Sequence, residues 1–247
     1  MLKFIDADCH LGMPAVPGDK PWQTEKILEL MDRCRIEKAI ACHEVALQGE
    51  MMPGNLLMAE EAAKNDRFLP QWCIMPNAFG EFMEPEELNR AMKTHGVSTL
   101  RIAPKTFKHT MQPQSMGKFM DMAAQCRIPV FFSYDQAIGD ELYDLCSTYP
   151  DVTFVVTDTA YALNRWLGPV LDNCRNLYVA TGNYVVHRGL KTFCDYYGAE
   201  KLLFTTGVPN GSATAAVSLI ALSELSMEQK EQIAYGNIQN LLSQVQL

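Results

Sequence analysis

The chain has little clustered positive charge. Its 247 residues carry a net charge of −8, and no block of Lys or Arg stands out. Recognition of a phosphate backbone leans on such clusters, so no nucleic-acid partner is expected. No apolar run reaches the roughly 18 residues needed to span a bilayer, which excludes a membrane helix from the reading. Met1-Leu2-Lys3-Phe4-Ile5-Asp6 has neither the basic start nor the long apolar stretch of a secretory signal, and it reads as a strand from the outset. Cysteine is present, at positions 9, 34, 42, 73, 126, 146, 174 and 194, but no two form a C-x-x-C pair. With 48% apolar residues the chain has core enough without a disulfide framework. Reduced, mostly buried thiols and a cytoplasmic location are therefore expected. A linker rich in Gly, Ser or Pro is also missing, so residues 1–247 are read as one domain.

What is there is a repeat of short β-rich runs about thirty residues apart, with amphipathic segments between them. The runs are Leu2 to Asp6, Lys38 to Cys42, Leu69 to Met75, Thr99 to Ile102, Val130 to Phe132, Thr153 to Thr157, Leu177 to Ala180 and Leu202 to Thr205. Helical stripes fill the gaps: Thr24 to Arg35, Asn55 to Lys64, Glu84 to Thr94, Ser115 to Cys126, Asp140 to Ser147, Leu163 to Asn173, Gly189 to Tyr197 and Ser212 to Glu224. A last helix runs from Met227 to about Gln244. Thr24 is the N-cap candidate of its helix, and Pro85 suits a first helical turn, where a missing donor costs little. Pro70, Pro129 and Pro150 are each placed just before a strand. Eight β/α units in sequence predict a single closed (β/α)8 barrel. The rival, an open doubly wound sheet, usually shows fewer strands and a glycine-rich turn after the first, and that turn is absent.

In such a barrel the active site lies at the C-terminal ends of the strands. The polar residues expected there are Asp6, Asp8 and His10 after the first strand, then His43 and Glu44, then Arg101 and Lys105. Ser133, Tyr134, Asp135 and Asp158 follow, then Asn183, Tyr184, His187 and Arg188, and finally Thr206 and Gly207. Cys9 alternates with Asp8 and His10, so it should point away from the mouth. The fourteen methionines are read mainly as core filler.

Several stretches then resemble the amidohydrolase-related branch of the amidohydrolase superfamily, from end to end of the chain. Ile5-Asp6-Ala7-Asp8-Cys9-His10-Leu11-Gly12 is similar to the opening strand, whose pattern is Asp-x-His-x-His. Gly54-Asn55, with Asp66-Arg67-Phe68-Leu69-Pro70 later, resembles the second helix and third strand. Ile128 to Ser133 and Tyr149 to Asp158 resemble the fifth and sixth strands, which normally close in His. Lys201 to Pro209 resembles the eighth, which normally carries an Asp, and Gly236-Asn237 before Leu241-Leu242 resembles the closing helix. The resemblance implies a TIM barrel of the metal-dependent hydrolase type, acting as a hydrolase or decarboxylase. It also implies ligand positions at Asp8, His10, Ser133, Asp158 and Gly207, of which only His10 keeps the family's residue. A serine hydroxyl is a poor neutral ligand and glycine offers none. Losing the eighth-strand Asp would remove a proton shuttle as well.

Together these residues read as a divergent member of that family. It binds a small anionic metabolite at the barrel mouth, with the usual metal centre lost or rebuilt. Catalytic candidates are His10 and Asp158, and substrate-binding candidates are Arg101, Ser133, Tyr134 and His187. No cofactor is expected beyond a divalent cation (Zn, Mg or Mn) that a rebuilt set of Asp8, His10 and Asp158 would hold. An active hydrolase or decarboxylase using that set is the alternative. For His10 a ligand or acid–base role stands level with a hydrogen-bonded relic. For Arg101 a substrate-carboxylate anchor stands level with a pair to Asp6 or Asp8. No Ser-His-Asp set is recognisable. Specificity is assigned to the loops Gly12 to Gln23, Ala46 to Pro53 and Pro104 to Gln114, and a homodimer paired through outer helices is the expected assembly.

Overall fold

The computed structural model describes residues 2–12, 23–160 and 164–247. Among these, eight parallel strands pair in chain order: β1 (Phe4–Leu11), β2 (Ile36–His43), β3 (Phe68–Ile74), β4 (Thr99–Ile102), β5 (Val130–Ser133), β6 (Phe154–Thr157), β7 (Leu177–Ala180) and β8 (Leu202–Leu203). The ring closes where β1 meets the end of β8. Ala7 N donates to Phe204 O at 2.9 Å and His10 N to Val208 O at 2.8 Å. Around the strands run α1 (Thr24–Cys34), α2 (Glu44–Leu47), α3 (Met51–Lys64), α4 (Pro85–His95), α5 (Pro113–Gln125), α6 (Asp140–Thr148), α7 (Asn164–Asn173), α8 (Gly189–Tyr197), α9 (Ala213–Ala221), α10 (Met227–Glu231) and α11 (Asn237–Ser243). This is the expected (β/α)8 TIM barrel. Among the described residues, no helix is long and apolar enough to cross a membrane.

Alternation along the strands builds two apolar layers. Ile5, Ala7, Ile40, Phe131, Val155 and Leu203 pack together inside the barrel. Phe4, Cys9, Ala41, Trp72, Ile102, Phe132, Phe154 and Val156 belong to the larger layer between strands and helices. Cys9 therefore points away from the axis, as its alternation predicts. All eight cysteines are free thiols, and all but Cys126 are buried.

Two Gly-Asn dipeptides fasten this frame. A Cβ on Gly54 would sit 2.1 Å from Ala46 N, so only glycine lets α3 approach α2 so closely. The adjoining Asn55 donates to Cys73 O and accepts from Cys73 N, both at 2.8 Å. Asn237 donates to the carbonyls of Ala199 and Leu202, again at 2.8 Å, and secures the start of β8. Each asparagine satisfies buried main-chain groups that a curved sheet edge leaves over.

Some boundaries differ from expectation. The first strand runs on to Leu11 instead of stopping at Asp6, because closure against Val208 continues its pairing. Gln23, not Thr24, is the N-cap of α1, and the Thr24 hydroxyl donates to Glu61 on α3 at 2.7 Å. Pro70 lies within β3. It is the last residue registered with β2, and pairing with β4 begins at Gln71, so the ladder demands no donor there. Much of the supposed loop Ala46 to Pro53 is helical, shared between α2 and α3. The last helix is interrupted by a π-helical turn, Gln232–Gly236. Most of the Gly12 to Gln23 loop, and the Leu163 start of the seventh helical stripe, lie outside the described residues.

Candidate active site

A bulge in β1 sets up the mouth. Asp6 registers with Ala39 and Cys9 with Ala41, so Ala7 and Asp8 together oppose the single residue Ile40. The extra residue brings Asp8 to the inward face above Ala7 and leaves His10 inward opposite Cys42. Asp6 is used for closure. Its Oδ1 accepts from Thr206 N at 2.9 Å and Asp8 N at 3.1 Å, and its Oδ2 accepts from the Thr206 hydroxyl. Burial still pushes the Asp6 carboxyl up to about 7, against the pull of these bonds. Its role is structural, as its position within the strand suggests.

Asp8 is 2% exposed and Arg101, on β4 across the mouth, is 3% exposed. Arg101 Nη2 donates to Asp8 Oδ1, and its Nε donates to Gln71 Oε1 at 2.6 Å. His10 Nε2 lies 3.3 Å from that same Asp8 oxygen, and His10 Nδ1 lies 2.7 Å from Glu44 Oε1 at the start of α2. Burial would raise the Asp8 carboxyl, but Arg101, His10 and Thr157 outweigh it and hold Asp8 down at about 2. Burial opposes charge on His10, yet the Cys42 sulfur, Asp8 and Glu44 push it well above the usual imidazole range. Both ring nitrogens of His10 thus face carboxylate oxygens, an arrangement that favours the charged imidazole. The four charges form two opposed pairs, the arrangement buried charges require.

The opposite side of the mouth carries hydroxyls. Ser133 ends β5 and Thr157 ends β6, in register, and Asp158 follows in the left-handed region with φ 56°. Burial, then Asp8, raise the Asp158 carboxyl above its ordinary value, while Ser133 hydrogen-bonds it. Gly207, φ 64°, faces Asp158, whose Oδ1 would lie 3.8 Å from a Cβ there. A side chain at 207 would meet both a strained backbone and that carboxyl.

Asp8, His10, Arg101, Ser133 and Asp158 therefore converge. Tyr134 and His187 do not join them. Tyr134 opens a short 3-10 turn and packs its half-buried ring on the strand–helix layer. His187 is exposed in the loop after β7. Tyr184 is buried and meets Phe193 edge-on at 6.1 Å, and the His43 ring caps α2 by accepting from Val45 N at 3.3 Å. Glu44 appeared among the rim residues, but its pairing with His10 was not legible. Gln71 was missed. Its signal was a lone polar residue in the apolar run Leu69 to Met75, on the same face as Cys73.

The amidohydrolase family model matches residues 43–243, and the chain belongs to that family. Solved structures agree in fold. 2,6-Dihydroxybenzoate decarboxylase from Rhizobium is 17% identical, with a TM-score of 0.78, over 98% of this chain and 99% of that one. A dihydroxybenzoic acid decarboxylase from Polaromonas, with bound manganese and the inhibitor 2-nitroresorcinol, is 16% identical with a TM-score of 0.73, over 98% and 97%. 5-Carboxyvanillate decarboxylase from Sphingomonas paucimobilis is 14% identical, TM-score 0.71, over 98% and 99%. Among curated proteins, none matches the chain in sequence.

A divalent cation such as manganese does not suit the donors found here. Both nitrogens of His10 already sit at hydrogen-bond distance from carboxylates, so a metal would have to displace one of those partners. One oxygen of Asp8, Oδ1, already accepts from Arg101. Among the described residues, no group of three or more His, Cys, Asp or Glu side chains is arranged to hold a metal ion.

Proposed function

We propose that this amidohydrolase-family protein binds a small carboxylate-bearing metabolite at its barrel mouth, between Arg101 and the Ser133–Asp158 side. One observation carries the reading. Arg101 commits Nε to Gln71 and Nη2 to Asp8, and among the described residues nothing takes up Nη1. A guanidinium held in one plane with a donor group left over is a matched partner for a carboxylate fork. Calorimetric titration with 2,6-dihydroxybenzoate, benzoate and the neutral isostere benzamide tests it. The acids should bind, and should lose about tenfold or more in affinity in Arg101→Lys, which keeps the charge but not the fork. Equal affinity for acid and amide would sink the reading.

A second reading is favoured by Asp158. A carboxyl whose affinity for its proton burial raises, beside Ser133, is suited to act as a general acid on the bound ligand. That would make the protein a hydrolase or decarboxylase. Product analysis by chromatography decides: turnover of a bound acid that disappears in Asp158→Asn supports the enzyme, and an unchanged acid leaves the binding role.

A further inference from the structure

We propose that the guanidinium of Arg101 serves as the built-in positive centre of the mouth, taking the electrostatic part that a metal cation would play there. This rests on the previous reading only in taking the mouth as the functional site, and its test uses no organic ligand.

The geometry is that of side chains gathered around a cation. Arg101 reaches inward from β4 to Asp8 on β1, with side-chain exposures of 3% and 2%. Gln71 Oε1, at 2.6 Å from Nε, fixes the guanidinium plane from the neighbouring strand. The Asp8 oxygen that Arg101 touches is also the one 3.3 Å from His10 Nε2, so this candidate ligand atom is already taken from two sides. Asp158 lies within electrostatic range of the same guanidinium. Zinc would need to come within about 2.0–2.2 Å of a carboxylate oxygen, displacing the Arg101 donor. The displaced guanidinium would then be a fixed charge held against a doubly charged ion inside a buried site. Gly207, where the resemblance calls for a carboxylate, adds no negative charge to offset it. The side chain gives what the metal would give electrostatically, a localised positive charge. It has no exchangeable water and no open coordination position, so the site can anchor an anion but cannot generate hydroxide by metal coordination.

The test is metal binding by the full chain after dialysis against a chelator. Calorimetry and elemental analysis with Mn²⁺ and Zn²⁺ should show no stoichiometric site in the wild type. Arg101→Met should free Asp8 and raise Mn²⁺ affinity by about tenfold or more, and adding Asp8→Asn should remove that gain. Arg101→Lys, which keeps the charge, should stay metal-free. If Arg101→Met folds only with added Mn²⁺, by circular dichroism, the inference is supported. Failure to fold or to gain affinity with Mn²⁺ counts against it, as does an equal gain in Arg101→Lys. One equivalent of Mn²⁺ bound by the wild type and lost in Asp8→Asn would overturn it outright. A wild type that takes the metal and still prefers benzoate to benzamide sinks this inference and spares the binding reading. A protein that takes neither does the reverse.

Discussion

The two halves of the barrel handle polarity differently. Strands β1 to β3 are eight, eight and seven residues long, and together with β4 they carry Asp8, His10, Gln71 and Arg101 along their inner faces, with Glu44 just past β2. Strands β5 to β8 are four residues or fewer and present the hydroxyls of Ser133, Thr157, Thr181 and Thr205, with the carboxyl of Asp158 just past β6. Ions taken out of water need specific partners, so the first half is tightly determined, each charge fixed by an opposite one. Hydroxyls can be buried at modest cost with a single weak bond, such as Thr157 Oγ1 to Phe132 O at 3.4 Å. The first half therefore fixes orientation and the second leaves room for variation.

The largest expected effect comes from breaking the charged half. Arg101→Met should destabilise the fold by about 3–5 kcal/mol in urea unfolding, because Asp8 is left buried and unpaired. Adding Asp8→Asn should return part of that loss. Strictly additive losses would mean that the two groups do not act as a pair. Next in size is the pH response of Asp6, in the closure between the halves. Its folded-state pKa of about 7 lies above the ordinary 3.8. Between these values the folded chain holds a proton that the unfolded chain has released, so stability falls as pH rises through that window. Asp6→Asn mimics the protonated acid and lacks this loss. Relative to the variant, the wild type should therefore lose about 2 kcal/mol or more between pH 4.5 and 7.5. A constant difference across that range would rule out the raised pKa. Asn55→Ala, which removes both clamps on Cys73, should cost about 1–3 kcal/mol. Ser133→Ala, in the hydroxyl half, should change stability by less than about 1 kcal/mol. A Ser133 effect as large as that of Arg101 would erase the contrast between halves.

Periodicity in the sequence made the eight units legible, because helix and strand differ so clearly in their apolar repeat. Thr99 to Ile102 and Leu177 to Ala180 match the observed strands residue for residue. The convergence of Asp8, His10, Arg101, Ser133 and Asp158 followed from one rule, that function sits at strand C-termini. Pairings within the set did not follow. Whether Arg101 would face a ligand or Asp8 depends on reach across the barrel, which no local pattern encodes. Tyr134 and His187 lie apart from this cluster for a related reason. A position just beyond a strand end does not say whether the chain then turns toward the axis or folds back onto the helices, as Tyr134 does.

The single extra residue in β1 has one more consequence. With Ala7 and Asp8 both opposite Ile40, the strand contains a built-in half-step that leaves everything after it in phase. Shortening the chain at Ala7 would preserve the inward aim of Asp8 and His10, whereas shortening it at Cys9 would swing His10 outward, away from Asp8. The rim thus tolerates a change of length on one side of Asp8 and not on the other, an asymmetry in how this strand can be edited that substitutions alone would never expose.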